Sequence, residues 1–168
     1  MIARKPQTMS AANIRLLPVD NTPPMALLRL ADPSEEAIMQ YLPMSHCLLA
    51  EMPGNGADDS IIAGIIVLLR QDAKTMEVMN LAVDERYQQQ GLGRQLLNAG
   101  IEYAKACGVT TLKIATGNSS LHQLKLYQSC GFEITEIITD YFVEHYPEPI
   151  FEAGIQCRDR IELTSTVK

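Results

Sequence analysis

Nine consecutive residues, Ile61 to Leu69 (IIAGIIVLL), are aliphatic or glycine. A run so rich in β-branched residues reads as a strand buried on both faces, and it is far too short to cross a bilayer as a helix. Strand and helix signals alternate around it, with no internal repeat. Asn13–Leu17 reads as a first strand, followed by an irregular stretch marked by Pro23 and Pro24. Pro33 and Ser34 open a helix through Tyr41 that Pro43 stops, and His46–Glu51 is a second strand before the loop Pro53–Ser60. After the 61–69 strand, Gln71–Lys74 turns the chain into a strand running to Val83. Gly93, Leu96, Leu97, Gly100, Ile101 and Ala104 fall on one helical face, and Gly108 ends that helix. Thr111–Thr116 is a short strand. Ser120 and Gln123 carry a capping-box pattern for a further helix, which Gly131 closes. Phe132–Ile138 and Arg158–Leu163 are closing strands on either side of a long loop rich in Pro and Glu.

This order predicts a mixed α/β domain and not a strict βαβ repeat. With 168 residues, 46% of them hydrophobic, the chain supports one core and not two comfortable ones. The expected layout is a flexible tail over 1–11, a single domain over 12–165, and a short second tail. The net charge is −6, and no Lys/Arg cluster is present, so a nucleic-acid partner is not expected and a cationic one is favoured. The N-terminal MIARKPQTMSAAN is basic without an apolar core, which predicts no secretory signal, no membrane partner and a cytoplasmic protein. Cys47, Cys107, Cys130 and Cys157 lie far apart with no C-x-x-C pair. That spacing fits neither a metal site nor a disulfide framework, and reads as reduced, mostly buried thiols, Cys130 among them.

The segment Leu81-Ala-Val-Asp-Glu-Arg-Tyr-Gln-Gln-Gln-Gly-Leu-Gly-Arg94 carries the strongest chemical signal. A strand ends near Val83 and a helix begins around Gly91. The first turn of a helix leaves N–H groups unpaired and carries partial positive charge. Gly91 and Gly93 remove side chains where a pyrophosphate would approach those groups, and Arg94 adds a charged donor. The same glycines also suit close packing of a helix on a sheet. No G-K-[ST] follows, which excludes a Walker-type loop. The third glycine and first-strand position of a dinucleotide fingerprint are missing too.

The run Gln88-x-x-Gly91-x-Gly93 after Leu81-Ala82-Val83 resembles the acyl-CoA-binding motif of the GNAT N-acetyltransferase superfamily. Leu126-Tyr127-x-x-x-Gly131-Phe132 resembles that family's second signature, in the right order and at a fitting separation. The stretches ATGNSSLHQLKLYQSCGF and YPEPIFEAGIQCRDRI are similar to those of bacterial members with undefined acceptors. The resemblance covers nearly the whole chain. It implies a central, mostly antiparallel twisted sheet of six to seven strands flanked by about four helices. It further implies acetyl-CoA as co-substrate without a metal, and direct acetyl transfer to a primary amine, on a small molecule or a peptide, in a ternary complex. A homodimer is compatible with it. A non-catalytic acyl-CoA sensor on the same fold would need the same loop.

Within this resemblance, Gln88, Gln89, Gln90, Gly91, Leu92, Gly93 and Arg94 would hold the pyrophosphate, while the main chain of Leu81, Ala82 and Val83 would pair with pantetheine. A backbone N–H there would stabilise the developing oxyanion. Tyr127 stands where the family often places the acid that protonates the leaving thiolate; the alternative is that it packs the helix on the sheet and binds the cofactor by hydrogen-bonding its sulfur. Counting back from Gly91, Glu77 falls where the histone-modifying branch carries its base. Without a bulge, strand parity puts Glu77 on one side with Met79, Leu81 and Val83; with one, parity fails. A solvated glutamate opening a strand is the alternative. Family members often place an asparagine against pantetheine after the next strand. Here Asn118 lies two positions further from Tyr127 than usual and Ser120 takes the usual place, where it also suits a helix cap. Asp140, Tyr141, Glu144, His145, Glu148 and Glu152 populate the loop that commonly walls the acceptor pocket, either to hold an ammonium or as a solvated acidic loop or a subunit contact.

Overall fold

The computed structural model describes residues 11–168, so the expected N-terminal tail lies almost wholly outside the described residues. Seven strands form one sheet in the order β1-β2-β3-β4-β5-β9-β6. These are β1 (Asn13–Leu16), β2 (Ser45–Pro53), β3 (Ser60–Arg70), β4 (Thr75–Val83), β5 (Thr111–Gly117), β6 (Glu133–Ile138) and β9 (Arg160–Thr166). All neighbours are antiparallel except β4 and β5. The helices are α1 (Met25–Ala31), α2 (Glu35–Tyr41), α3 (Leu92–Ala106), α4 (Leu121–Ser129) and α5 (Tyr141–His145), and β7 (Ile150–Glu152) with β8 (Ile155–Cys157) makes a separate hairpin. This is the mixed, mostly antiparallel sheet expected, with five α-helices among the described residues where about four were expected.

The aliphatic run is the middle of β3, and its alternation feeds two cores. Ile66 and Leu68 pack under α3 with Leu92, Leu96, Leu97 and Ala104. Ile65 and Val67 pack on the opposite face with Leu27, Leu28, Ile38 and Tyr41 of α1 and α2. Each fully buried aliphatic side chain of this kind contributes roughly 1.5–3 kcal/mol. Helix α3 lies close on β3 because a Cβ on Gly100 would meet Ile66 Cδ1 at 2.8 Å, and one on Gly64 would meet Leu96 Cδ1 at 2.7 Å.

Several local expectations are corrected. The stretch after Pro23–Pro24 is not irregular, since Pro24 leads into α1, whose Leu27 and Leu28 are buried. The Pro- and Glu-rich loop contains α5 and the β7–β8 hairpin. The C-terminal residues are no tail: β9 runs to Thr166, and Val167 is buried and donates its N–H to the Thr110 carbonyl (2.9 Å). Of the four thiols only Cys47 and Cys157 are buried; Cys130 is partly exposed.

Candidate active site

Strand β4 determines where the site opens. Val67 pairs with Asn80 and Leu68 with Val78, so Met79 is an extra residue in a β-bulge. The bulge breaks the simple parity of the strand. Leu81 and Val83 join Met76 and Val78 on the α3 side, whereas Met79, Asn80 and Ala82 face α1 and α2. Glu77 therefore does not share a side with Leu81 and Val83. At the same point β4 and β5 part: their pairing runs from Thr75–Thr111 to Val78–Ile114 and stops. The β5-facing edge of β4 is left open beyond Val78.

A continuous cleft occupies the gap. Its α3-side lobe, about 730 Å³, is walled by Leu81, Ala82 and Val83, by Tyr87 to Gln89, and by Gly91 to Arg94. Its β5-side lobe, about 410 Å³, is lined by Val78 to Leu81, Ile114 to Gly117, Ser120, Glu152 and Arg160, with Phe142 and Tyr146 as aromatic walls. Leu81, Gln123 and Tyr127 belong to both lobes and mark where they meet.

The mouth of α3 has the properties of an anion site. Gln89 (φ 58°) and Gly91 (φ 83°) both adopt left-handed backbone, which turns the chain from β4 into the helix. The first helical bond is donated by Gln95 N–H to the Gly91 carbonyl (3.1 Å), so the N–H groups of Leu92, Gly93 and Arg94 precede it, and no side chain caps them. The space that a Cβ on Gly91 would fill is open, with nothing within 4 Å; a Cβ on Gly93 would touch Leu126 at 3.4 Å. Gly91 thus leaves a bare cradle and Gly93 serves helix packing as well. Gln88 Nε2 ties the loop to the Val83 carbonyl (2.9 Å), while Gln90 turns back to the Arg86 carbonyl (3.4 Å) and does not line the cleft. The loop is stiffened by Asp84, whose carboxylate is pushed down to about 2 by Arg86 and by its backbone N–H. The Arg94 guanidinium lines the lobe but bonds Ser129 Oγ (2.7 Å) at the end of α4.

Tyr127, on α4, is buried at the junction, and desolvation pushes its hydroxyl up to about 12. Glu77 is set apart from the cleft: it accepts from Gln71 Nε2 (2.6 Å) and pairs with Arg160 Nη2 (3.4 Å), and Arg160 is the group that faces the lobe. Asn118 is occupied by protein, its Oδ1 accepting the N–H groups of Arg158 (2.8 Å) and Asp159 (2.9 Å) and its Nδ2 donating to Gln156 (3.1 Å). Ser120 precedes α4 without capping it by its side chain; the hydroxyl donates instead to Glu152 (3.0 Å), which overturns the capping-box expectation. Of the acidic loop only Glu152 reaches the cavity. Asp140 pairs with Arg158 (2.7 Å), and Glu144 and Glu148 are exposed. Asn80, Asp32, Phe142 and Tyr146 line the site although the sequence did not single them out for it. For Asn80 a signal existed: it is the one polar residue in the apolar end of β4. No cluster of side chains suited to a metal ion occurs among the described residues, and no helix there is long and apolar enough to span a membrane.

Comparison with known proteins matches this geometry to a family. The sequence model of the acetyltransferase (GNAT) family matches residues 19–132. The N-acetyltransferase YvbK of Bacillus subtilis is 49% identical over 137 residues, covering 82% of this chain and 84% of its own length. An IAA acetyltransferase from Bacillus cereus superimposes with a TM-score of 0.84 at 44% identity, over 93% of this chain and 99% of its own. A GNAT family acetyltransferase from Elizabethkingia anophelis, solved with acetyl-CoA bound, gives a TM-score of 0.84 at 44% identity over 94% and 99%.

Proposed function

Because this chain belongs to the acetyltransferase (GNAT) family, we propose that it transfers an acetyl group from acetyl-CoA to a primary amine by direct attack. The expected domain from residue 12, extended through β9 to Val167, acts as one catalytic unit in the bacterial cytoplasm. The observation that carries this reading is the two-lobed cleft meeting at Leu81 and Tyr127, with an uncapped helix mouth at one end. The residues present fit the co-substrate. The N–H groups of Leu92, Gly93 and Arg94 and the bare face of Gly91 suit a pyrophosphate, and the open edge of β4 from Leu81 to Val83 suits an extended amide chain. An acetyl-CoA-bound relative of the same fold supports that placement.

In this mechanism the acceptor nitrogen forms a C–N bond to the acetyl carbonyl carbon as the C–S bond breaks. A β4 N–H steadies the charge on the carbonyl oxygen. Tyr127 gives its proton to the departing thiolate, the nitrogen now bonded to carbon releases its surplus proton to solvent, and solvent reprotonates Tyr127. An ammonium acceptor, with a pKa of about 10.4, must first lose a proton. Glu77 supports that step at a distance: its carboxylate holds Arg160 at the acceptor lobe, and solvent takes the proton. Asn118 and Ser120 brace the wall of the acceptor lobe through Gln156 and Glu152. The test is acetyl-CoA turnover, read as free thiol over a panel of amines, beside calorimetric titration with CoA. Turnover is expected together with binding heat. Binding without turnover across the panel would leave the acyl-CoA sensor, and no binding heat would end both.

A further inference from the structure

Two carboxylates in the β5-side lobe have no cationic partner. Asp32 follows α1, Glu152 ends β7, and both line the cavity. Neither forms an ion pair among the described residues. Arg160, which also lines the lobe, does not offset them. Its guanidinium is shared between Glu77 (3.4 Å) and Glu162 (3.3 Å), and Glu162 also takes Lys113 (3.7 Å), so two cations and two anions cancel within that cluster. Both free carboxylates are held in place. Ser120 Oγ donates to Glu152 (3.0 Å), and the Ser34 N–H donates to Asp32 (3.1 Å).

A neutral group completes the wall. Asn80, only 4% exposed, donates through Nδ2 to the Leu28 carbonyl (3.0 Å) and to the Tyr41 hydroxyl (3.1 Å). Turning the carboxamide over would set its oxygen against the Leu28 carbonyl, which cannot donate, so its orientation is fixed. Its Oδ1 is then left with no partner among the described residues. A buried oxygen in that condition is destabilising, and an N–H brought by a ligand would remove the penalty.

These groups treat an amine differently. A carboxylate favours the ammonium form, so a nitrogen bound there stays protonated and cannot attack a thioester. A carboxamide oxygen accepts an N–H bond without adding charge, and Asn80 lines this lobe, which Leu81 joins to the other. The reacting nitrogen therefore belongs at Asn80, and the carboxylates suit a second nitrogen that remains charged. Phe142 and Tyr146 supply apolar wall for a hydrocarbon spacer, and about 410 Å³ lies within the roughly 300–1,000 Å³ typical of small-molecule sites. Resting on the acetyl-transfer reading above, we propose that the acceptor is a small molecule with two amino groups, one anchored as ammonium by Asp32 and Glu152 and the other presented neutral beside Asn80.

The test compares thiol release with diaminobutane, butylamine and aminobutyrate, each sample being titrated with CoA by calorimetry. Diaminobutane is expected to exceed butylamine by about a hundredfold in kcat/KM, with aminobutyrate lowest. Asp32→Asn and Glu152→Gln should each lower kcat/KM for the diamine about tenfold, through KM, and lower that for butylamine far less. Asn80→Asp should lower kcat and recover it as pH rises, because an anion there holds the reacting nitrogen protonated. Equal rates for diamine and butylamine overturn the assignment, as does an Asp32→Asn loss common to both. CoA heat without turnover of any of the three also overturns it while sparing the cofactor site; absence of CoA heat sinks the acetyl-transfer reading itself.

Discussion

In the proposed mechanism, burial is what loads Tyr127 as the acid. Its hydroxyl is desolvated at the junction of the lobes and titrates at about 12 instead of 10.0, so it is fully protonated wherever a thiolate near 8.5 needs a proton. Tyr127→Phe is expected to lower kcat by about 10²–10⁴-fold and leave CoA affinity unchanged, as steady-state rates beside calorimetry would show. The same shift has a sign for stability. Between about 10 and about 12 the unfolded chain gives up this proton while the folded chain keeps it, so stability falls as pH rises through that window. Denaturant titrations at alkaline pH should show a shallower fall for Tyr127→Phe than for the parent. Motif matching reached Tyr127, Gly91 and Leu81, all of which line the cleft, because short spacings encode them. It could not foresee that Asn118 would be consumed by Arg158 and Asp159, or Glu77 by Arg160, since those partners are 40, 41 and 83 residues away.

At the level of elements, α3 was the most legible because its apolar face repeats over four turns, and Leu96, Leu97, Gly100 and Ala104 are indeed buried. Helix α1 was not, because seven residues after two prolines carry too little periodicity; its stability comes from packing Leu27 and Leu28 on the sheet. The β7–β8 hairpin was hidden by its turn. Ala153 (φ 49°) and Gly154 (φ 77°) are both left-handed, and alanine gives no signal for a position that Asn, Asp or Gly normally fills. Ala153→Gly should therefore stabilise the fold by about 1 kcal/mol in chemical denaturation. The two ends of α3 offer a matched control. Gly91 and Gly108 both have positive φ and open space where a Cβ would stand. Gly91→Asp and Gly108→Asp should each cost stability by forcing a side chain into left-handed backbone, the first less because its anion meets the positive end of the helix, but only the first should abolish CoA binding by calorimetry.

Across the whole molecule, the sheet is two blocks, β1 to β4 and β5-β9-β6, whose shared ladder has four pairs among the described residues, from Thr75–Thr111 to Val78–Ile114, with the Arg160–Glu77 pair beside it. A ligand lying in the gap touches both blocks, since each lobe is walled by β4 on one side and by β5 or α4 on the other. At a concentration about a hundredfold above its Kd, acetyl-CoA should stabilise the fold by about 2.7 kcal/mol, measured as a shift in the denaturation midpoint. That short seam works as a clasp of four rungs. Catalytic turnover would then be a mechanical cycle as well as a chemical one: with every departing product the molecule loses a splint, and with every arriving donor it regains one. Amide exchange along β4 and β5 should rise and fall with occupancy, slowest when the gap is filled.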